Sequence, residues 1–291
     1  MLTKGESPEE FANHLKVRHD LLMRIYFLCA FLLCGIFSHA VFADSPKWKL
    51  VWSDEFDGAG KPDPTKWKYQ VGGDGWGNQE EEYYTDHLEN AHLENGHLVI
   101  EARKEEMASN HYTSARLNSR ASWTYGRFEF RAKLPTGRGT WPAAWILPDV
   151  KTYGDRFWPD NGEIDVLEAV GFDQNVNHFS VHTKDFNWMN GNQPTFWTMV
   201  PDADKDFHTY ALEWYPDHLD FFIDQTKYMT LKKIGDWRQW PFDKNFHVIL
   251  NLAIGGSWGG EKGIDDQIFP AKFELDYVRV YQLTTDQVLV R

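Results

Sequence analysis

The chain of 291 residues has only two cysteines, Cys29 and Cys34, and both fall inside one apolar stretch near its start. Without that stretch no thiol is left, which excludes a disulfide framework, a cysteine-based metal site and a thiol nucleophile. Basic charge is also scarce: 30 Lys and Arg against 43 Asp and Glu give a net charge of −13. That balance speaks against a nucleic-acid partner, since phosphate binding needs a basic face. It also disfavours an acidic polysaccharide such as a sulfated galactan. None of the 12 histidines has metal-ligand spacing, so no cofactor is expected for catalysis. From Trp48 onward there is almost no helical periodicity and no linker, charge block or repeat, which leaves one domain over residues 44–291.

The only long hydrophobic run follows Met23-Arg24 and extends from Ile25 to Phe37, before Val41-Phe42-Ala43. A positive start, a short apolar centre and a small closing residue read as a secretory signal peptide over 23–43, cleaved after Ala43. Residues 1–22, polar and mixed in charge, then read as an upstream extension of the reading frame, with Met23 as the true start. An uncleaved membrane anchor is the rival reading, although the run is short for a span. The expectation is a secreted monomer, extracellular or periplasmic, with no membrane contact after cleavage.

What the chain does have is aromatic surface: 16% Phe, Trp and Tyr, with 14 Trp, all from Trp48 on. Indoles fill cores, and their flat faces also suit the apolar C–H faces of sugar rings. Short alternating segments recur between turn signals, at 97–103, 126–134, 178–183, 208–214, 219–223, 247–254 and 273–281. Phe128, Phe130, Ala132 and Leu134 alternate with Glu129, Arg131 and Lys133, which gives one apolar and one polar face. This pattern predicts an all-β fold, a two-sheet β-sandwich of jelly-roll type with a curved groove.

The most informative strand is Glu163-Ile164-Asp165-Val166-Leu167-Glu168, placed between Pro159-Asp160-Asn161-Gly162 and Gly171. Three carboxylates in an apolar strand are costly to bury unless a site uses them. Glu163 and Asp165 share one face, whereas Glu168 lies at an odd offset and would fall on the other. A β-bulge near Val166-Leu167 would return it to the carboxylate face, with the two Glu Cα atoms roughly 13 Å apart. Glutamates leaning together from there reach the ~5–5.5 Å separation of retaining glycosidases, with Asp165 between them to hold Glu163 by a hydrogen bond. Solvated surface carboxylates are the competing reading of the spacing alone.

The Glu-Ile-Asp-Val-Leu-Glu pattern resembles the active-site strand of glycoside hydrolase family 16, in the bulged form seen in laminarinases. Further blocks carry the resemblance along almost the whole domain: Val51-Trp52-Ser53-Asp54-Glu55-Phe56, Gly75-Trp76-Gly77-Asn78-Gln79-Glu80, Trp141-Pro142-Ala143-Ala144-Trp145, Gly255-Gly256-Ser257-Trp258 and Asp276-Tyr277-Val278-Arg279. It implies a concanavalin-A-like jelly roll that hydrolyses internal β-1,3 bonds of a β-glucan with retention. Glu163 would be the nucleophile, Glu168 the acid/base and Asp165 the assisting group. By the same resemblance Asn78, Glu80 and Arg116 would bind sugar hydroxyls, Trp141, Trp145 and Trp258 would stack on glucosyl rings, and His182 would face the carboxylates. Core packing competes for the tryptophans and a structural ion pair for Arg116, while Trp123, Trp188 and Trp197 read as loop residues of unassigned place. A structural calcium at Glu55, Gly96 and Asp276 is implied, chiefly through backbone carbonyls. Mixed-linkage glucan, a galactan, transglycosylation and a non-catalytic glucan-binding module remain as alternatives.

Overall fold

In the computed structural model, residues 48–284 are described. The expected signal peptide, upstream extension and cleavage position lie outside them. Seventeen strands follow one another among the described residues. They are β1 Trp48–Asp54, β2 Trp67–Tyr69, β3 Glu82–Tyr84, β4 Ala91–Glu94, β5 His97–Met107, β6 Asn110–Ser114, β7 Arg116–Trp123, β8 Gly126–Lys133 and β9 Thr140–Pro148. After these come β10 Glu163–Glu168, β11 Val176–His182, β12 Thr195–Met199, β13 His208–Trp214, β14 His218–Ile223, β15 Thr226–Lys232, β16 Phe246–Ile254 and β17 Ala271–Leu283. The only helical pieces among the described residues are short 3₁₀ turns at Trp188–Asn190 and Asp266–Ile268.

The strands form two stacked sheets. One runs β15-β14-β13-β8-β17-β5-β6-β3, with β1 beside β17 and β4 beside β5; the other runs β12-β11-β10-β9-β16-β7-β2. Nearly every ladder is antiparallel, the short β3–β6 pair being the parallel exception. Alternation decides which side of each strand enters the core. On β8, Phe128, Phe130 and Ala132 are fully buried while Arg127 and Glu129 point away from the core. The latter two form an ion pair that extends to Glu213 on β13. Phe179 and Val181 of β11, Phe221 of β14 and Phe246 of β16 complete the layer between the sheets. Truncating one such Phe to Ala costs about 3–5 kcal/mol.

The predicted sandwich is therefore present, with all seven alternating segments falling on strands to within one residue. Two of the tryptophans read as loop residues need correction: Trp123 ends β7 and packs in the core, and Trp197 sits in the middle of β12. Trp188 is in the 3₁₀ turn. Pairing with β11 settled the place of Trp197, and Thr195–Met199 has too little alternation to announce it.

The expected calcium positions meet at one junction. β17 changes neighbour there, from β5 up to Leu275 to β1 from Val278, and its register against β8 shifts between Leu275 and Tyr277. Asp276 is thus the bulged residue, Glu55 follows the end of β1, and Gly96 precedes the start of β5. The Glu55 side chain is committed to Arg279 and one Asp276 oxygen to Arg131, while the other lies 3.7 Å from His97 Nε2. Backbone carbonyls with one Asp276 carboxylate oxygen would make an oxygen-only donor set of the kind that suits Ca²⁺.

Candidate active site

β10 lies in the middle of the second sheet and carries the three carboxylates. Its register against β9 is Asp165↔Trp145 and then Leu167↔Ala144, so Val166 is the extra residue of a bulge. The bulge lets Ile164, Val166 and Leu167 all be buried in the core while Glu163, Asp165 and Glu168 line one cleft. Here the structure matches the sequence expectation closely.

The ends of β10 are held by dense local chemistry. Upstream, the buried Asn161 accepts from the backbone N–H of Thr152 and of Tyr153, both at 2.7 Å. Its amide donates to the carbonyls of Tyr153, Arg156 and Phe157. One side chain thereby fixes the loop that presents Trp158 to the cleft. Downstream, Gly171 donates to the Thr140 carbonyl, and a side chain on it would collide with the Gly137 carbonyl and Thr140 Oγ1. Only glycine lets the two chains approach so closely.

The cleft has a volume of about 650 Å³. Every residue expected to catalyse or bind sugar lines it: Asn78, Glu80, Arg116, Trp141, Trp145, Glu163, Asp165, Glu168, His182 and Trp258. Trp141 Nε1 donates to Glu168 Oε1 at 2.9 Å, so this indole touches the Glu168 carboxylate directly instead of only packing. Trp258 packs edge-on against Trp141. His182 pairs with Glu163 across the β10–β11 ladder, its Nε2 lying 3.7 Å from Glu163 Oε1 and 3.4 Å from Asp165 Oδ2. Glu163, Asp165 and His182 present atoms within 4.8 Å of one another.

The expected hydrogen bond from Asp165 to Glu163 is not formed. Asp165 Oδ2 has no hydrogen-bond partner, and Asp165 acts on Glu163 through charge. Two ionised carboxylates repel, so such a bond needs a proton on one of them.

Burial pushes the carboxyls of Glu163, Asp165 and Glu168 all up to about 8. Repulsion from Asp165 adds to the effect at both glutamates. His182 and Arg116 oppose it at Glu163, and the Trp141 N–H and His182 oppose it at Glu168. The site therefore keeps a proton near neutrality and shares it among three close groups, which titrate as a unit.

A second polar chain supports the end of the cleft formed by residues 75–80. Positive φ at Gly75, Trp76, Gly77 and Gln79 coils this loop. Ser257 N–H donates to the Asn78 carbonyl and Glu80 bridges to Gly255, fastening it to the turn after β16. Trp145 Nε1 donates to Asn251 Oδ1, Asn251 Nδ2 to Tyr84 Oη, and Tyr84 Oη to Glu80 Oε2. Beneath them burial holds Glu82 protonated, far above the carboxylate range, with its side chain hydrogen-bonded to Glu80. Arg116 lies between the rings of Trp76 and Trp145 and donates to Gln70 instead of forming an ion pair. Asn251, Tyr84, Glu82, Trp76, Trp158 and His178 were not singled out as site residues. The one legible sign was Asn251, a lone amide inside the apolar run of β16.

Two carboxylates returned to one face by a bulge, in an indole-walled cleft across a β-sandwich, define a carbohydrate-cleaving hydrolase. Residues 78–279 match the family described as glycosyl hydrolases family 16. The chain is 52% identical over 272 residues to a beta-glucanase from Rhodothermus marinus, covering 90% of this chain and 95% of the relative. It is 37% identical over 250 residues to a glucan endo-1,3-beta-glucosidase from Cryptopygus antarcticus, covering 80% and 91%. The X-ray structure of the laminarinase from Rhodothermus marinus superposes with a TM-score of 0.81 at 55% identity, covering 82% of this chain and 99% of that one. The chain belongs to glycosyl hydrolase family 16, and it is a glycoside hydrolase.

Proposed function

We propose that the chain is a retaining endo-β-1,3-glucanase that cuts laminarin-like glucans within the chain. The observation that carries the chemistry is the Val166 bulge, which sets Glu163 and Glu168 on one cleft face. In the first step a Glu163 oxygen attacks the anomeric carbon while Glu168 gives its proton to the departing glycosidic oxygen, and that C–O bond breaks. In the second, water attacks the same carbon and passes a proton to Glu168, releasing the Glu163 carboxylate from its ester. Burial and the Asp165 charge favour the protonated form of Glu168, as the first step requires. His182 and Arg116 favour the ionised form of Glu163.

The β-1,3 preference rests on the names of the relatives and on the loop around Asn78 and Glu80, which the Trp145–Asn251–Tyr84 chain positions. The intact carboxylates argue against a binding module without catalysis. We further propose export after cleavage at Ala43, action as a monomer, and a structural calcium at the Glu55, Gly96 and Asp276 junction, remote from any step of catalysis.

The test uses the chain from Asp44 onward on laminarin, mixed-linkage glucan, agarose and carrageenan, with reducing ends and product sizes followed. Oligosaccharides released from laminarin and abolished by Glu163→Gln are the expected result. Activity only on a galactan would overturn the substrate and keep the mechanism. Binding of laminarin without any cleavage would overturn the enzyme reading.

A further inference from the structure

We propose that Trp197 and Met199 on β12 form an outer platform that holds the leaving portion of a glucan chain beyond the cleft. This rests on the retaining glucanase reading and extends its binding surface on the leaving-group side.

The face is set by register. Thr195, Trp197 and Met199 stand opposite Ser180, His178 and Val176 of β11. Residues directly opposite in an antiparallel pair share a face. Ser180, His178 and Thr195 all line the catalytic cleft, so Trp197 and Met199 continue that surface outward. On the other face, Phe196 meets Tyr228 of β15 at 6.1 Å, which fixes the alternation of the strand.

Exposure is the second observation. Trp197 is 63% and Met199 62% exposed, on the edge strand of the sheet. An open edge with large apolar side chains is an aggregation liability, which natural sheets normally blunt with charge or cover. β12 does neither, as Thr-Phe-Trp-Thr-Met carries no charge.

Direction is the third. Trp141 bonds Glu168, Trp258 meets Trp141 edge-on at 5.5 Å, and His178 meets Trp258 edge-on at 4.8 Å. Trp197 is opposite His178 on the next strand. This row begins at the residue that protonates the leaving oxygen and runs away from it. β12 lies two strand spacings from β10, roughly 9.5 Å. That reaches past the first leaving sugar. A neutral glucan offers apolar ring faces to an indole and no charge, matching an uncharged strand.

The experiment compares wild type, Trp197→Ala and Ile234→Ala, the last being an exposed residue outside the cleft. Substrates are laminarin and a short aryl β-laminaribioside, whose leaving group ends at the aryl ring. Trp197→Ala is expected to lower kcat/KM on laminarin roughly five- to tenfold, mainly through KM, and to change the aryl substrate by less than about twofold. Ile234→Ala should match wild type on both. Equal losses of Trp197→Ala on the two substrates, or no loss, would overturn the platform.

Wild type inert on laminarin would sink the substrate reading, and the platform is then judged by mobility in gels containing laminarin, mixed-linkage glucan or agarose. Retardation that Trp197→Ala relieves upholds it, and equal mobility in all three overturns it. Wild-type dimers in sedimentation that Trp197→Ala dissolves, with kinetics unaltered, would assign the face to a second copy and also overturn it.

Discussion

Replacing Asp165 by Asn should stabilise the protein at pH 8, leave it unchanged near pH 4, and lower activity. Asp165 is 4% exposed, and its Oδ2 has no hydrogen-bond partner. Burial alone raises its carboxyl from 3.8 to about 8. Between those values the folded state holds the proton more tightly than the unfolded chain does. Its contribution is therefore full below about 3.8 and is lost as pH rises through about 8. A gap of about 4 pH units at ~1.36 kcal/mol each sets a ceiling of about 6 kcal/mol for a carboxyl titrating alone. Three groups share the protons here, so roughly a third of that, about 2 kcal/mol, is expected. For a domain of this size that corresponds to roughly 4–8 °C in Tm. The assay is scanning calorimetry of both proteins from pH 4 to pH 9, with kcat measured in parallel. The difference in Tm should open as pH rises. Because the Asp165 charge helps keep Glu168 protonated, the alkaline limb of the pH–rate profile should move down and kcat should fall by at least about tenfold. Parallel Tm curves, or a variant less stable at pH 8, would refute the claim that burial makes ionising Asp165 costly in this strand.

Other consequences are equally direct. Trp141→Phe removes the N–H that stabilises ionised Glu168, so the alkaline limb should shift upward while kcat falls by about tenfold, read from pH–rate profiles. Gly171→Ala forces a methyl group into the Gly137 carbonyl and should cost about 1–3 kcal/mol, measured by denaturant unfolding. If calcium occupies the junction at Asp276, a chelator should lower Tm by several degrees and added Ca²⁺ restore it; an unchanged midpoint would set the ion aside.

Much of this protein was legible in the sequence because the responsible physics is local. Period-two alternation in segments such as Phe128–Leu134 needs only the pleat of a strand, so the sandwich could be read before any contact was known. The odd offset between Glu163 and Glu168 forced a choice between a bulge and a broken site, and the apolar residues between them left the bulge as the consistent solution. The resemblance to family 16 placed the remaining cleft residues by order along the chain, and all of them line one cavity.

Long-range packing decided the rest. Nothing near Trp141 says that its indole bonds Glu168, since the two are 27 positions apart and meet only because β9 pairs with β10. The chain Trp145–Asn251–Tyr84–Glu80 joins three distant segments and has no local signature. Whether Asp165 bonds Glu163 or repels it depends on burial and protonation, which no spacing encodes. Trp197 read as a loop residue because edge-strand identity is a property of the sheet and not of five residues. The sequence by itself determined the alternating strands, the bulge and the three carboxylates, for those follow from alternation and from the cost of burying charge. The tertiary structure alone decided which indole touches which carboxylate and which face of the edge strand stays open, because those depend on partners that only folding brings together.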